Sequence, residues 1–115
     1  MKFNFEKINR EFRTIEKSII EGNQGKARVC ARRAVAFAMQ EKLRSIGTSV
    51  IGLDLKQLTK RFLEEFETSE EIENILEHMS WKVDMKLGAD STYWPYPEVD
   101  LIEESRYFVK YLLSD

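Results

Sequence analysis

The architecture of this chain follows from residues 26–38, Lys26-Ala27-Arg28-Val29-Cys30-Ala31-Arg32-Arg33-Ala34-Val35-Ala36-Phe37-Ala38. Small side chains recur here every three or four residues, which is the spacing of one face of an α-helix: Ala27, Cys30, Ala31, Ala34 and Ala38. Because small side chains let another backbone come close, we expect this helix either at the centre of a bundle or at the seam of a dimer. The helix is predicted to run from about Lys26 to Ile46 and to end at Gly47.

The segment before this helix carries a single apolar face. Its members are Phe5, Ile8, Phe12, Ile15 and Ile19, at alternating spacings of three and four. A first helix is therefore predicted over residues 4–21, and Gly22 is a suitable stop because glycine accepts the left-handed conformation at a helix C-terminus. The connection over residues 22–25 is short, so the second helix should turn back and pack antiparallel to the first.

Two helices are predicted after a loop at residues 47–54. Asp54 is a suitable N-cap for a third helix, whose apolar residues are Leu55, Leu58, Phe62 and Phe66. Thr68 and Glu71 form a capping-box pattern that opens a fourth helix, predicted to end near Gly88. Its apolar residues recur at helical spacing: Ile72, Leu76, Met79 and Val83.

The last helix follows the one clearly non-helical stretch, residues 88–97. Pro97 suits the first turn of this helix, which carries Leu101, Ser105, Phe108 and Leu112 on one side. The chain has only 5 glycines and 2 prolines, which favours long helices joined by short connections. The sequence therefore predicts an all-α fold, an antiparallel bundle of about five helices that occupies residues 1–115 as a single domain.

The composition indicates a globular chain that does not span a membrane. Hydrophobic residues make up 43 % and charged residues 33 % of the 115 residues. No apolar run approaches the roughly 18–20 residues that cross a bilayer, and the first residues lack the apolar stretch of a secretory signal. The single cysteine, Cys30, cannot form an intrachain disulfide, which fits a reducing compartment. We therefore expect a cytoplasmic protein with no membrane partner.

The net charge of −2 hides an asymmetry between the two halves of the chain. Residues 1–61 carry 14 Lys and Arg against 6 Asp and Glu, whereas residues 62–115 carry 4 against 14. One half could attract an anion or the opposite half of a neighbouring copy. Alternatively, the two halves face each other within one fold.

The basic start of the second helix is the main candidate site. Lys26 and the first backbone amides lie at a helix N-terminus, where the dipole favours anions. Guanidinium groups suit phosphate, so the predicted ligand- or anion-binding residues are Lys26, Arg28, Arg32 and Arg33. In the competing interpretation these arginines pair with glutamates of the third and fourth helices. The slightly acidic chain also argues against a dedicated nucleic-acid binder.

No metal or cofactor site is predicted. The acidic run from Glu64 to Glu77 is one stretch, whereas a metal centre needs carboxylates that converge from several helices. We expect it to be a solvated face or a docking surface for the arginines. His78 has no Cys or His at zinc-ligand spacing. Cys30 lies in the stripe of small residues and is expected to be an inert core thiol rather than a catalytic partner of His78.

Aromatic residues stand beside prolines at residues 93–97, Tyr93-Trp94-Pro95-Tyr96-Pro97. Such rings can stack a base or fill a partner's pocket, so Tyr93, Trp94 and Tyr96 are the predicted rim of a partner or ligand pocket. They can equally cover one end of the bundle, because aromatic rings bury a large area at a small cost in entropy.

With the helices placed, the order of features resembles the HEPN domains of prokaryotes, which are small helical bundles often found as dimers. The resemblance rests on the amphipathic first helix and on the Gly-Asn-x-Gly turn at 22–25 with its Ala-rich helix. It continues with the Tyr-Pro step at 96–97 before an acidic last helix. It covers most of the chain as a pattern of helices and small residues, and it implies a helical bundle that forms a homodimer.

The family's ribonuclease motif is missing from this sequence. Active members are metal-independent ribonucleases, or toxins paired with a small nucleotidyltransferase. Their motif is an arginine followed by a histidine about four to six residues later. His78 has no arginine within the preceding ten residues, so no catalytic residue carries over.

Two interpretations of function follow. The first is a non-catalytic, HEPN-like dimeric interaction or accessory module that binds a nucleotide or a partner protein. The second is an RNA-cleaving enzyme that uses other residues, with Arg32 stabilising phosphate and His78 acting as acid or base.

Overall fold

The computed structural model describes residues 4–81, 96 and 98–113. These residues form five α-helices and no strand, which confirms the predicted all-α bundle: α1, Glu6–Ile20; α2, Gln24–Ser45; α3, Leu55–Glu65; α4, Glu70–Met79; and α5, Leu101–Leu113. None of these five helices has both the length and the apolar character that a bilayer-crossing helix requires.

Helix α2 lies at the centre of the fold, one of the two positions that its small side chains predicted. It packs against α1, α3 and α5, while α4 packs against α5. The side chains of Ala27, Ala31, Ala34 and Ala38 are fully buried, so neighbouring helices approach the α2 backbone closely. The large core side chains come mostly from the surrounding helices and include Ile8, Ile15, Phe62 and Phe108.

The glycines predicted to end α1 and α2 do so. Gly22 and Gly47 have φ angles of +77° and +81°, in the left-handed region. At the end of α1, the Gly22 amide donates to the carbonyl of Ile19 at 3.0 Å and the Asn23 amide donates to that of Ser18 at 2.7 Å. The last turn of α2 is closed by the same pair of bonds. Both ends are Schellman motifs, which give partners to carbonyls that a helix end otherwise leaves without one.

Helix α2 begins at Gln24, two residues before the predicted start. The side chain of Asn23 accepts a hydrogen bond from the Lys26 amide at 3.0 Å and so caps the helix at residue 23. Gly25 is therefore a buried residue of the first turn rather than part of the connection. The predicted cap of α3 is confirmed, because Asp54 accepts from the Gln57 amide at 2.9 Å.

The cap of α4 is Ser69, and the prediction of Thr68 was wrong by one residue. The Ser69 hydroxyl accepts from the Ile72 amide at 3.2 Å. This start places three glutamates in the first turn, where carboxylates stabilise the helix dipole. The helix ends at Met79 and not near Gly88. Val83 and Gly88, assigned to this helix from sequence, lie outside the described residues.

Helix α5 begins at Leu101. Pro97, predicted for its first turn, lies outside the described residues. The carboxylate of Asp100 accepts hydrogen bonds from the amides of Ile102 and Glu103 at 3.0 and 3.1 Å and so caps the start of the helix. The predicted inner face is correct, since Leu101, Ser105, Phe108 and Leu112 are all buried.

Candidate functional site

The basic start of α2 lies close to two other helix ends, the C-terminus of α4 and the N-terminus of α5. Arg32 contacts the end of α4, and Arg28 lines a groove with the residues that begin α5. Lys26 is exposed in the first turn of α2, and Arg33 is exposed on the side that faces α1. Arg28, Arg32 and Arg33 therefore face three different neighbours and Lys26 faces solvent, so the four predicted basic residues do not converge on one ligand.

Arg32 caps the C-terminus of α4. Its Nε donates to the carbonyl of Met79 at 3.1 Å, and its Nη2 donates to the carbonyl of Trp81 at 2.9 Å. A helix C-terminus leaves its last carbonyls without partners, and its dipole favours a cation there. Burial lowers the pKa of Arg32, and the nearby charge of Arg28 lowers it further. An arginine stays charged at neutral pH all the same, so this contact is a charged cap.

Arg33 pairs with a buried carboxylate of α1. Its Nε lies 3.0 Å from Oε1 of Glu11, a side chain that is only 6 % exposed. The approach has the distance of an ion pair but not the direction of a hydrogen bond, and Glu11 Oε1 has no hydrogen-bond partner among the described residues. Arg33 therefore pairs with a glutamate, as the alternative prediction held, but this glutamate lies on α1 and not on the third or fourth helix. Arg32 donates to backbone carbonyls at the end of α4.

Cys30 is a buried, free thiol within the stripe of small residues, as predicted. Burial raises the pKa of this thiol, and the negative charge of Glu11 raises it further. The positive charges of Arg33 and Lys26 act in the opposite direction but more weakly. A buried thiol with a raised pKa is a poor nucleophile, so Cys30 belongs to the core.

His78 joins α4 to α5 through a carboxylate that the sequence analysis did not single out. Its Nδ1 lies 2.8 Å from Oε2 and 2.9 Å from Oε1 of Glu104. Because an ionised carboxylate can only accept, Nδ1 is the protonated nitrogen in this pair. Both side chains are about one-fifth exposed, at 21 % and 22 %. No local spacing could have revealed the pair, since the two residues are 26 positions apart.

A ladder of aromatic rings extends from His78 across the end of α4. The ring centroid of Trp81 lies 4.6 Å from the ring centroid of His78, and that of Tyr96 lies 4.5 Å from that of Trp81. Tyr96 is half-buried and packs against the core, which favours its role as a cover for the bundle over its role as a pocket rim. Tyr93 and Trp94, the other two predicted rim residues, lie outside the described residues.

A groove of about 370 Å³ separates the α1–α2 turn from the start of α5. Its apolar residues are Ile19, Val99, Leu101 and Ile102, and its polar residues are Gln24, Arg28, Asp100, Glu103 and Arg106. Among the predicted site residues that the structure describes, only Arg28 contributes to it. Arg106 has no sequence signal of such a role, because a single arginine in an acidic helix forms no pattern with its neighbours.

The acidic run is a solvent-facing surface. Its seven glutamates are exposed: Glu64, Glu65, Glu67, Glu70, Glu71, Glu73 and Glu77. Glu64 is 3.7 Å from Arg61 in the same helix, and Glu71 accepts a hydrogen bond from the Tyr107 hydroxyl at 2.9 Å. Within the described part of the chain, no three Asp, Glu, His or Cys side chains are placed to hold a metal ion.

Comparison with known proteins identified no relative of this chain. No family model, curated protein or solved structure matches this chain. The arguments about function therefore rest on the geometry of α2, α4 and α5.

Proposed function

We propose that this protein is a non-catalytic, HEPN-like accessory module that works as a homodimer and binds an acidic partner or a nucleotide through the basic start of α2. One observation carries the non-catalytic part of the proposal. The two side chains that the enzyme interpretation requires, Arg32 and His78, are both used to attach α4 to the rest of the bundle.

Arg32 is poorly placed to stabilise a phosphate. A guanidinium binds phosphate or carboxylate best when two of its parallel N–H groups face the anion. The Nε and Nη2 groups of Arg32 already donate to the carbonyls at the end of α4. An incoming anion would have to take these donors from two carbonyls, which would then lose their partners.

Lys26 and Arg33 are better placed to meet an anionic partner. Lys26 is exposed, and the side chain of Arg33 is 60 % exposed although its Nε contacts Glu11. The first-turn amide of Lys26 already donates to Asn23, so the attraction comes from side-chain charges rather than from that amide. Such a surface supports weak, salt-dependent binding of acidic groups.

A change of charge at these two residues tests the binding part of the proposal. The variant Lys26→Glu/Arg33→Gln reverses the charge at residue 26, removes it at residue 33 and leaves an amide donor beside Glu11. Circular dichroism checks that the variant is folded. The matched control, Lys56→Glu/Arg61→Gln, makes the same charge change at exposed positions of α3. Binding of ATP, a labelled 12-nucleotide RNA and a polyglutamate peptide is measured by thermal shift, because a ligand of the native state raises the melting temperature.

We expect at least one of these probes to raise the melting temperature of the native protein and of the control, and to lose most of this effect with Lys26→Glu/Arg33→Gln. Equal shifts in both variants would place the binding site elsewhere. No shift with any of the three probes would contradict anion binding by α2. Light scattering on the same samples tests the homodimer independently.

The second candidate function is an RNA-cleaving enzyme, and the His78–Glu104 pair is the observation that favours it. A carboxylate that holds Nδ1 orients an imidazole and leaves Nε2 available to accept or donate a proton. Turnover of single-stranded RNA by the purified protein, compared with His78→Ala, distinguishes the two functions. The enzyme requires that turnover be present and be lost in the variant. Absent turnover supports the accessory module, whereas turnover that is unchanged in His78→Ala rules out catalysis by His78 and also contradicts a non-catalytic module.

A further inference from the structure

The groove beside α5 carries exposed charges of both signs. Glu103 and Arg106 lie on its α5 side, and both side chains are exposed. Neither side chain forms an ion pair or hydrogen bond with another described residue. Asp100 and Arg28 add a second carboxylate and a second guanidinium to the lining. This mixture disfavours a phosphate or a uniformly acidic ligand, because either would meet carboxylates as well as arginines.

A surface that presents both signs together is suited to a second copy of itself. In a two-fold dimer the same patch of both copies forms the interface. If one residue of the first copy contacts a second residue of the other copy, the reverse contact is also made. Glu103 and Arg106 are three residues apart on one helix and therefore point to the same side. When two α5 helices approach antiparallel across a two-fold axis, Arg106 of each copy lies opposite Glu103 of the other.

The same corner also supplies apolar surface. Ile19 lines the groove and is 39 % exposed, and the adjacent Ile20 at the end of α1 is 86 % exposed. When a partner covers large aliphatic side chains that are exposed beside an apolar groove, the burial of their surface stabilises the complex. Charge complementarity fixes the orientation of the second copy, and burial of these isoleucines provides the affinity.

We propose that the groove between the α1–α2 turn and the start of α5 is the two-fold interface of a homodimer, in which Glu103 of each copy pairs with Arg106 of the other. The inference rests on the proposed function only in its statement that the protein is a homodimer. It assigns the interface to α5 and the α1–α2 turn, and it leaves Lys26 and Arg33 available to another partner.

A charge-swap experiment tests the interface. The variants Glu103→Arg and Arg106→Glu each place like charges opposite one another at two positions of the dimer. We expect the dissociation constant of either variant alone to rise by roughly 10-fold or more, measured by analytical ultracentrifugation. A 1:1 mixture of the two variants restores opposite charges at both positions and should associate as tightly as the native chain. Lys56→Glu, an exposed reversal on α3, is the control and should not change the dissociation constant.

The possible outcomes separate this inference from the proposed function. A native chain that stays monomeric would overturn both the interface and the homodimer. A native dimer that tolerates both single reversals would overturn the interface alone and place the dimer contact elsewhere. Single variants that dissociate but do not recover in the mixture would overturn the Glu103–Arg106 pairing, since loss of folding or a general charge effect would then explain the dissociation. Circular dichroism of each variant identifies the case of lost folding.

Discussion

Replacing Arg32 with alanine should reduce the free energy of unfolding by about 2–3 kcal/mol. The variant loses two hydrogen bonds from a charged donor, at 3.1 and 2.9 Å, each of which contributes about 1.5–3 kcal/mol when fully buried. Because Arg32 is only partly buried, water can replace part of each bond and the sum is smaller. Loss of the cation at the α4 C-terminus adds about 0.3–1 kcal/mol. For a chain of this size the melting temperature should fall by about 8–12 °C.

Urea unfolding followed by circular dichroism measures this loss. Arg32→Lys should lower the free energy of unfolding by about half as much as Arg32→Ala, because a single ammonium group keeps the charge but cannot reach both carbonyls at once. Arg13→Ala is the matched control, since the side chain of Arg13 is exposed on α1 and forms no hydrogen bond or ion pair within the described residues. Its free energy of unfolding should stay within about 0.5 kcal/mol of that of the native protein. If Arg32→Ala is as stable as Arg13→Ala, the cap does not hold α4, and Arg32 would again be a candidate for binding an anion.

Three further predictions test the core and its charges. Ala34→Leu should destabilise the fold by about 1–3 kcal/mol because Ala34 is fully buried, whereas Val29→Leu, at a position that is 50 % exposed, should be nearly neutral in chemical denaturation. Arg33→Ala should lower the free energy of unfolding by about 1–2 kcal/mol, because it leaves the buried carboxylate of Glu11 without its cation. Arg10→Ala removes only an exposed ion pair and should lower it by less than about 0.5 kcal/mol. Equal losses in the two variants would contradict the assignment of Arg33 as the partner of a buried charge. The raised pKa of Cys30 means that the folded state holds the thiol proton more tightly than the unfolded state, so stability should fall as pH rises from about 9 through the folded pKa. Cys30→Ala should lose less stability over that interval, and parallel stability curves would show that the thiol is not linked to folding.

The helices could be predicted because their signals are local. The stripe of small residues in α2 and the glycines at the ends of α1 and α2 are patterns that involve residues within one or two turns. The structure confirms both predictions. Helix starts were less certain where adjacent residues offered equivalent caps. Thr68 and Ser69 both carry a hydroxyl of the kind that caps helices, and only the folded backbone selects Ser69. The cap of α5 is Asp100, whose carboxylate accepts from two first-turn amides, and a single aspartate among several acidic residues gave no sequence signal for this role.

The candidate site could be predicted only in part, because its partners are distant in sequence. The sequence identified Arg32 and His78 as notable residues but not what they contact. Arg32 meets backbone carbonyls, which have no signature in sequence. His78 meets Glu104 on another helix. Glu11 stands between Arg10 and Phe12, and nothing in that stretch indicates that its side chain is buried beside Arg33.

The short turn between α1 and α2 has a consequence for the order of folding. Only residues 21–23 separate the two helices, so their contacts are close in sequence and cost little loop entropy to form. Helix α5 begins at Leu101, far along the chain from the end of α2 at Ser45, and must close a much longer loop before it can pack on α2. We therefore expect the α1–α2 hairpin to form early and the docking of α5 to limit the folding rate. Until α5 docks, one side of the alanine-rich helix stays in water, and association between chains at this stage would compete with folding.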